Sequence, residues 1–352
     1  VAEAGRRAFI IGLSGETLSG DEARFIERWR PCGIIVFSRN FRTNDQLQQL
    51  IGDVRDAAGS EDLLVLVDQE GGRVQRLTGT QWPDFPPAAA FAALYQQDGK
   101  AGGEALRVAT QWLAGLLRDV GVNTNCVPCL DVPVAGAHGI IGDRAYGRDP
   151  RTIAVLGRAV ADGCMAAGVL PVMKHIPGHG RAGVDSHLEL PTVDATAGDL
   201  ERQDFVPFCE LNALPAAMTA HVTFTNFDAT CPASVSREVI CKAIRGDIGF
   251  DGLLISDDVS MQALSGSIEE RASAVVAAGG DVVLHCNGDL EEARSVAMVV
   301  PELCGKRLLR YKRCLDIVFR EPRRVDKGLA MAAMGRARDA LAMERGNSHR
   351  AE

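Results

Sequence analysis

Eight short apolar runs, separated by segments with helical periodicity, restrict the fold of this chain more than any other feature. They cover residues 9–13, 33–37, 63–67, 122–130, 171–173, 216–219, 253–255 and 281–284. Continuous apolar runs of this length are typical of strands buried on both faces of a parallel sheet. Eight such strands alternating with helices predict an α/β fold, specifically a single (β/α)8 TIM-type barrel. A doubly wound dinucleotide-binding sheet is disfavoured because no G-x-G-x-x-G motif follows the first run.

Helix start and stop signals fit this alternation. Thr43 and Ser267 each begin a sequence typical of a capping box. Further helices are predicted over 98–119, 152–167, 200–213 and 237–247, with Gly168 after the second of these. Pro301 suits the first turn of a late helix. We expect the catalytic barrel to cover residues 1–319, followed by a helical, basic and partly disordered tail over 320–352.

The charge balance excludes some partners. The net charge is −8, and an acidic chain is poorly suited to non-specific nucleic-acid binding. No apolar run reaches the roughly 18 residues that a membrane-spanning helix needs. We therefore expect neither a nucleic-acid partner nor a membrane partner, and a monomer that acts on a small molecule.

Cysteine usage favours a cytoplasmic protein. Ten cysteines are scattered along the chain without the regular spacing of a disulfide framework. The apolar stretch at 9–13 is shorter than the core of a secretory signal, so we interpret it as a buried strand. Cys126 and Cys129 have the C-x-x-C spacing of a redox pair. They lie inside an extended run and not at a helix start, which favours a structural role and leaves a redox role open.

Polar and charged residues follow most of the predicted strands at the same end. In an α/β barrel the carboxyl ends of the strands form one face, and enzymes of this fold have their active site there. We therefore expect an enzyme with a cavity on this face. The candidate residues are Ser38, Arg39, Asp68, Gln69, Glu70, Asp131, Lys174, His175, His221, Asp257, Asp258, His285 and Asn287.

Two segments with paired carboxylates are the densest in these candidates. Residues 67–76 place carboxylates and arginines around a Gly-Gly turn, where missing side chains would let a ligand approach the backbone. Residues 256–261 place Asp257 and Asp258 at the end of the seventh run. Neighbouring side chains of a strand point to opposite faces, so only one of these two aspartates is expected to face the cavity.

The segment 174–187 is rich in histidine, and zinc binding is the main alternative for it. His175, His179, Asp185 and His187 are ligand types that zinc prefers. However, His175 and His179 are separated by a Pro-Gly break and lack the helical face of an H-E-x-x-H site. Asp185 and His187 share one face of an extended segment, and a carboxylate beside an imidazole suits a proton-transferring histidine. We therefore expect no metal and no cofactor.

Five motifs make the chain resemble family-three glycoside hydrolases, in particular the bacterial single-domain β-N-acetylglucosaminidases of peptidoglycan recycling. The motifs are VDQEGGRVQR at 67–76, IGDRAYGRD at 141–149, KHIPGHG at 174–180, DSH at 185–187 and SDDVSM at 256–261. They occur in the family's order. Isoleucine replaces the usual phenylalanine in KHIPGHG, and we expect no counterpart of the second α/β domain that many relatives have.

This resemblance implies a retaining mechanism through a covalent glycosyl-enzyme. It implies that Asp257 is the nucleophile, and that His187 is the acid/base with Asp185 as its partner. The implied substrate is N-acetylglucosamine linked β-1,4 to anhydro-N-acetylmuramic acid, with or without a peptide. The residues that correspond to the family's sugar-binding positions are Asp68, Arg76, Arg144, Lys174 and His175.

Other functions are compatible with parts of this pattern. A β-glucosidase or a glycoside phosphorylase of the same family would share the nucleophile, and a histidine does not repel an incoming phosphate as a carboxylate would. A catalytically inactive sugar-binding barrel would not need Asp185, His187 and Asp257 together. A Schiff-base aldolase using Lys174 would leave the carboxylates without a role. The expected activity is therefore that of an exo-acting, retaining β-N-acetylglucosaminidase.

Overall fold

The predicted (β/α)8 barrel is confirmed in a computed structural model that describes residues 5–137, 139–184 and 189–348. Eight parallel strands form a closed ring in which consecutive strands are neighbours and the last pairs with the first. The strands are β1 (Arg7–Gly12), β2 (Pro31–Val36), β3 (Leu64–Val67), β4 (Thr124–Asn125), β5 (Leu170–Ile176), β6 (Ala216–Thr219), β7 (Leu253–Asp258) and β8 (Val282–His285).

The fourth strand is much shorter than the apolar run that predicts it. Of residues 122–130, only Thr124–Asn125 forms a regular strand. The side-chain amides of Asn123 and Asn125 replace part of the ladder, because each bonds to backbone groups at or beside β3. Pro128 has no N–H to donate. Polar side chains within an apolar run therefore end this strand early.

Helices surround the barrel. They are α1 (Gly20–Trp29), α2 (Asn44–Ala58), α3 (Ala88–Gln97), α4 (Gly99–Asp119), α5 (Pro150–Ala166), α6 (Ile268–Ala278), α7 (Leu290–Val299), α8 (Gly305–Val318) and α9 (Lys327–Ser348). Shorter helical pieces are Ser38–Asn40, Gly142–Arg144, Ala197–Asp199, Leu200–Asp204, Val206–Glu210, Ala233–Val235 and Val239–Asp247. Two small sheets pair Gln69–Gly71 with Val74–Gln75, and Thr192–Val193 with Thr223–Phe224.

Capping explains where two of these helices begin. Ser267 and Glu270 form the predicted capping box at the start of α6, since each side chain accepts from the other's backbone N–H. Thr43 supplies only half of the predicted box. Its hydroxyl accepts from the N–H of Gln46, whereas the Gln46 carboxamide bonds to other backbone groups. Both residues still fix the first turn of their helices.

Two helix predictions were wrong. The segment 200–213 is not one regular helix, because the turn Leu200–Asp204 is a π-helix closed by a bond from the N–H of Phe205 to the carbonyl of Leu200. Pro207 follows closely and cannot donate to a regular helical ladder. Pro301 lies before α8, which begins at Gly305.

The core has two layers. One fills the barrel interior, and the other lies between the strands and the helices. The last helix, α9, packs on α3 and α4 through Ala333, Met334 and Ala337, which are buried. The division between residues 1–319 and the tail 320–352 stays a prediction. Among the described residues, no helix is both long and apolar enough to cross a membrane.

Candidate active site

A cavity of about 460 Å³ opens at the carboxyl ends of the barrel strands, where enzymes of this fold bind their substrates. Cavities of this size hold small molecules. The residues that line it are Ile35, Phe37, Arg39, Asp68, Glu70, Arg73, Val74, Arg76, Ile140, Arg144, Lys174, His175, Met218, Asp257, Asp258, Met261, Leu284, Cys286 and Asn287.

Two carboxylates and three cations form a cluster in this cavity. The ammonium of Lys174 lies 2.7 Å from an oxygen of both Asp68 and Glu70. Arg144 donates from Nε and Nη2 to the two oxygens of Glu70, each at 2.8 Å. Arg76 adds a longer contact of 3.4 Å to Asp68. The Lys174 and Glu70 side chains are only 3% and 7% exposed, so solvent screens this cluster little.

The cluster fixes the charge of its members. Burial alone would raise the pKa of Glu70, but Lys174 and Arg144 outweigh it and hold the pKa at about 2. For Asp68 burial is likewise outweighed, chiefly by Lys174 and Arg76, and its pKa lies well below the usual range. Burial would lower the pKa of Lys174, yet Asp68 and Glu70 raise it above the usual value. Lys174 is therefore protonated near neutral pH, which argues against a Schiff-base role that needs a neutral amine.

Asp131 fixes the segment that continues from β5. One of its oxygens lies 2.6 Å from Nδ1 of His175, and the other accepts the backbone N–H groups of His175 and His179. Burial would raise the pKa of Asp131, but these partners hold it below the usual range. His179 is neutral, because burial and the neighbouring His175 lower its pKa to about 4. Asp131 therefore sets the position of the His175 ring in the cavity wall.

The two aspartates of β7 both line the cavity, so the expectation that only one would face it was wrong. The pairing of β7 with β8 shifts register between Ile255 and Asp258, and strict alternation does not hold across such an irregularity. The carboxylate of Asp258 accepts from the N–H and hydroxyl of Ser260 and from the N–H of Cys286. Asp257 accepts from the N–H of Asp258 at 2.8 Å. The carboxylate of Asp258 therefore stabilises the loops that follow β7 and β8.

The Gly-Gly turn also has a different role from the one predicted. Gly71 and Gly72 have φ values of 105° and 54°, which side chains rarely adopt. A Cβ at Gly71 would lie 2.5 Å from the carbonyl oxygen of Pro86, and one at Gly72 would lie 2.7 Å from Pro87. The chain's own segment approaches this turn, so the interpretation as a place for ligand approach was wrong.

One group of potential metal ligands occurs in the described part of the chain. Ligand atoms of Cys129, Asp131 and His175 lie within 4.8 Å of one another. They already bond among themselves, and burial raises the pKa of Cys129 well above its usual value. A thiol that stays protonated is a poor metal ligand. Burial also raises the pKa of Cys126, which disfavours a redox role for this pair. The absence of a metal stays a prediction.

The cavity collects most of the residues predicted from sequence. It contains Asp68, Arg76, Arg144, Lys174, His175 and Asp257. Asp185 and His187 lie outside the described residues, so their roles stay predictions. Glu70 and Asp131 were candidates only because they follow predicted strands. The structure shows that Glu70 binds Arg144 and Lys174, and that Asp131 binds His175 and His179. Ile140 and Met218 also line the cavity, and no sequence signal identified them.

The closed barrel and the charged cavity at its carboxyl ends define a TIM-barrel enzyme. The chain belongs to glycosyl hydrolase family 3, because the family model described as "Glycosyl hydrolase family 3 N terminal domain" matches residues 13–306. It is therefore a glycoside hydrolase, and the resemblance that its motifs indicated is confirmed.

Relatives extend this match over most of the chain. The β-hexosaminidase of Bordetella avium is 37% identical over 285 residues, which are 79% of this chain and 80% of that protein. The β-hexosaminidase of Alkalilimnicola ehrlichii is 40% identical over 283 residues, with 79% and 80% covered. The structure of NagZ from Neisseria gonorrhoeae in complex with N-trifluoroacetyl-D-glucosamine matches with a TM-score of 0.81 at 29% identity, covering 98% of this chain and 99% of that one.

Proposed function

We propose that this protein is a retaining exo-β-N-acetylglucosaminidase that removes terminal N-acetylglucosamine from muropeptide fragments. The observation that carries the proposal is that Asp257 shares one cavity with Asp68, Arg144, Lys174 and His175. The β-hexosaminidase relatives and the glucosamine derivative bound to gonococcal NagZ support an N-acetylated amino sugar as substrate. The aglycone, anhydro-N-acetylmuramic acid with or without a peptide, follows from the motif resemblance alone.

The cavity offers fixed charges to the sugar. Asp68 is ionised and can accept from hydroxyl groups, whereas Lys174 and Arg144 can donate to them. Their mutual ion pairs hold these groups in place before the substrate arrives. Hydrogen bonds that strengthen in the oxocarbenium-like transition state lower the barrier, and preorganised groups give this effect with little rearrangement.

The proposed reaction proceeds in two displacements. A carboxylate oxygen of Asp257 bonds to the anomeric carbon while the bond to the leaving oxygen breaks, and His187 gives that oxygen its proton. Water then attacks the anomeric carbon of the ester, His187 takes the proton of the water, and Asp257 leaves as a carboxylate. Asp185 orients the imidazole in both steps. The contacts of the Asp258 carboxylate support Asp257 as the nucleophile of the pair.

Substitution of the two aspartates tests this assignment. We expect Asp257→Ala to abolish turnover of an aryl β-N-acetylglucosaminide, since no other carboxylate would form the ester. Asp258→Asn is the matched control, because it removes a charge from the same strand end while keeping the side-chain volume, and it should retain measurable turnover. Near-normal turnover by Asp257→Ala with an inactive Asp258→Asn would reverse the assignment.

Substrate comparison tests the proposed activity against its alternatives. An aryl β-N-acetylglucosaminide, an aryl β-glucoside and a muropeptide fragment should each be assayed with and without phosphate. We expect cleavage of the two N-acetylglucosaminides and release of free N-acetylglucosamine in both buffers. A sugar 1-phosphate product would identify a phosphorylase. A preference for the aryl β-glucoside would identify a β-glucosidase. No cleavage of any substrate would indicate a sugar-binding protein.

We also place this reaction in the cytoplasm. All ten cysteines are free thiols in the structure, and six of them are buried. Unpaired cysteines in this number are typical of a reducing compartment. Fractionation of the native cells, followed by activity measurement in each fraction, would test the location.

A further inference from the structure

His221 is a buried histidine that the proposed mechanism does not use. It follows β6 and is 0% exposed. Its Nε2 lies 2.9 Å from the backbone carbonyl oxygen of Asp258, at the end of β7. Its Nδ1 lies 2.7 Å from the hydroxyl oxygen of Ser234. The imidazole therefore connects the end of β6 with the strand end that carries Asp257.

The hydrogen-bond partners define the tautomer of His221. A carbonyl oxygen only accepts, so Nε2 carries a proton and donates it to Asp258. Burial is the main cause that lowers the pKa of His221, and the ring is neutral near neutral pH. Nδ1 then accepts from Ser234. Ser234 also lies 2.6 Å from the hydroxyl of Thr219 and 3.0 Å from the carbonyl of Ala220.

These contacts form one chain of hydrogen bonds that ends at the nucleophile strand. Nε2 of His221 donates to the carbonyl of Asp258, and Nδ1 of His221 bonds to the hydroxyl of Ser234. That hydroxyl also bonds to Thr219, and its single proton is shared between Nδ1 and the carbonyl of Ala220. The N–H of Asp258 in turn donates to the carboxylate of Asp257. Asp258 is thus held on both sides of its α-carbon, and the Asp257 carboxylate is oriented by a backbone group that this chain holds in place.

We propose that His221 is a positioning residue for the glycosidic reaction: its neutral imidazole holds the Asp258 backbone and thereby directs the Asp257 carboxylate at the anomeric carbon. This inference rests on the proposed role of Asp257 as nucleophile. A displacement of about 1 Å in a reacting group can cost on the order of 100-fold in rate.

Two amide substitutions separate the two contacts of the ring. In His221→Gln, the amide nitrogen reaches about as far as Nε2 and can still donate to the Asp258 carbonyl. In His221→Asn, the amide reaches only as far as Nδ1, so it can contact Ser234 but not Asp258. We expect His221→Asn to lower kcat on an aryl β-N-acetylglucosaminide on the order of 100-fold with KM nearly unchanged. His221→Gln should recover most of this loss.

Covalent labelling gives a direct readout of nucleophile alignment. A 5-fluoro-N-acetylglucosaminyl fluoride should trap the glycosyl-enzyme, and peptide mapping identifies the labelled residue. We expect the maximal labelling rate to fall in His221→Asn by the same factor as kcat, with an unchanged half-saturating concentration. Thermal unfolding of each variant reports separately on stability.

Ser234→Ala and Ser236→Ala provide a second test that leaves the histidine in place. Both serines are buried, but Ser236 bonds to Asp228 and the N–H of Val239 and not to His221. We expect Ser234→Ala to lower kcat several-fold at constant KM and Ser236→Ala to leave kcat unchanged. This pair decides the question if His221→Asn does not fold.

The outcomes separate this inference from the proposed function. Equal kcat values for the Gln and Asn variants, or equal effects of the two serine substitutions, would show that His221 serves only packing. Labelling of the wild-type protein at a residue other than Asp257 would overturn the proposed nucleophile, and the His221 inference with it. Labelling at Asp257, together with equal kcat values for His221→Gln and His221→Asn, would overturn the His221 inference and leave the proposed nucleophile in place.

Discussion

Replacing Glu70 by glutamine tests whether the buried ion cluster holds the active site together. Glu70 accepts two charge-assisted hydrogen bonds from Arg144, each at 2.8 Å, and forms an ion pair with Lys174 at 2.7 Å. A glutamine keeps the shape and one acceptor, but it removes the negative charge and turns a donor toward one of the cations. Arg144 and Lys174 would then be left buried with an excess of positive charge.

The structure gives two routes to the size of the effect. Removing one partner of a buried ion pair costs about 3–5 kcal/mol. Independently, the pKa of Glu70 falls from 4.5 to about 2 on folding, and this gap corresponds to about 3–4 kcal/mol at roughly 1.4 kcal/mol for each pH unit. We therefore expect Glu70→Gln to lower the free energy of unfolding by about 3 kcal/mol at pH 7. Its kcat/KM should fall roughly 10- to 100-fold, because two proposed sugar-binding side chains lose their anchor.

Urea unfolding of wild type and variant between pH 7 and pH 3 measures this effect. The folded-state pKa of Glu70 is depressed, so its stabilisation is complete above pH 4.5 and is lost as pH falls toward 2. The difference between the two proteins should therefore shrink over this range. Glu104→Gln is the matched control, because Glu104 forms the same two-bonded pair with Arg107 but is 58% exposed. It should cost less than about 1 kcal/mol. Equal losses for the two variants would refute the reasoning.

Three further predictions concern a helix cap, the metal and the proton donor. Ser267→Ala removes the capping-box hydroxyl of α6 and should lower the free energy of unfolding by about 1 kcal/mol in urea, whereas Ser265→Ala on the exposed turn should have little effect. Prolonged chelation should leave the rate unchanged, and a loss of activity that zinc restores would contradict the absence of a metal. His187→Ala should slow a natural disaccharide more than an activated aryl glycoside, and azide should restore turnover of the latter. The same loss on both substrates, with no effect of azide, would exclude His187 as the acid/base.

The barrel could be predicted from the sequence because strands that are buried on both faces consist of continuous apolar residues. Each strand of a parallel barrel is an apolar run, and its carboxyl end is marked by the polar residues that follow. That rule located Asp68 and Asp257 at the cavity. The prediction of a helix at 200–213, which rests on apolar periodicity, failed because the hydrogen bonding changes to a π-helical turn ahead of Pro207. A periodicity argument does not contain that information.

The pairing of charges within the site could not be predicted in the same way. Lys174 pairs with Asp68 across 106 positions of sequence, and Arg144 pairs with Glu70 across 74. Each residue could be placed near the mouth of the barrel, but its partner depends on how long loops pack against each other. The pKa values follow from these partners and from burial together. The sequence therefore indicated which charged groups are present, and the structure shows which partners and what burial shift their pKa values.

The two aspartates of β7 show why the alternation of side chains along a regular strand fails at the cavity. A regular strand would place Asp257 and Asp258 on opposite faces, and one carboxylate would then lie in the apolar layer beneath the helices, at a high cost in desolvation. The register shift before Asp258 allows both to line the cavity, and the carboxylate of Asp258 accepts hydrogen bonds from Ser260, just after β7, and from Cys286, just after β8. The division of labour between the two aspartates therefore depends on hydrogen bonding and not on alternation. This is also why the contact of His221 with the Asp258 backbone bears on Asp257, since any group that fixes the irregular strand end fixes the carboxylate attached to it.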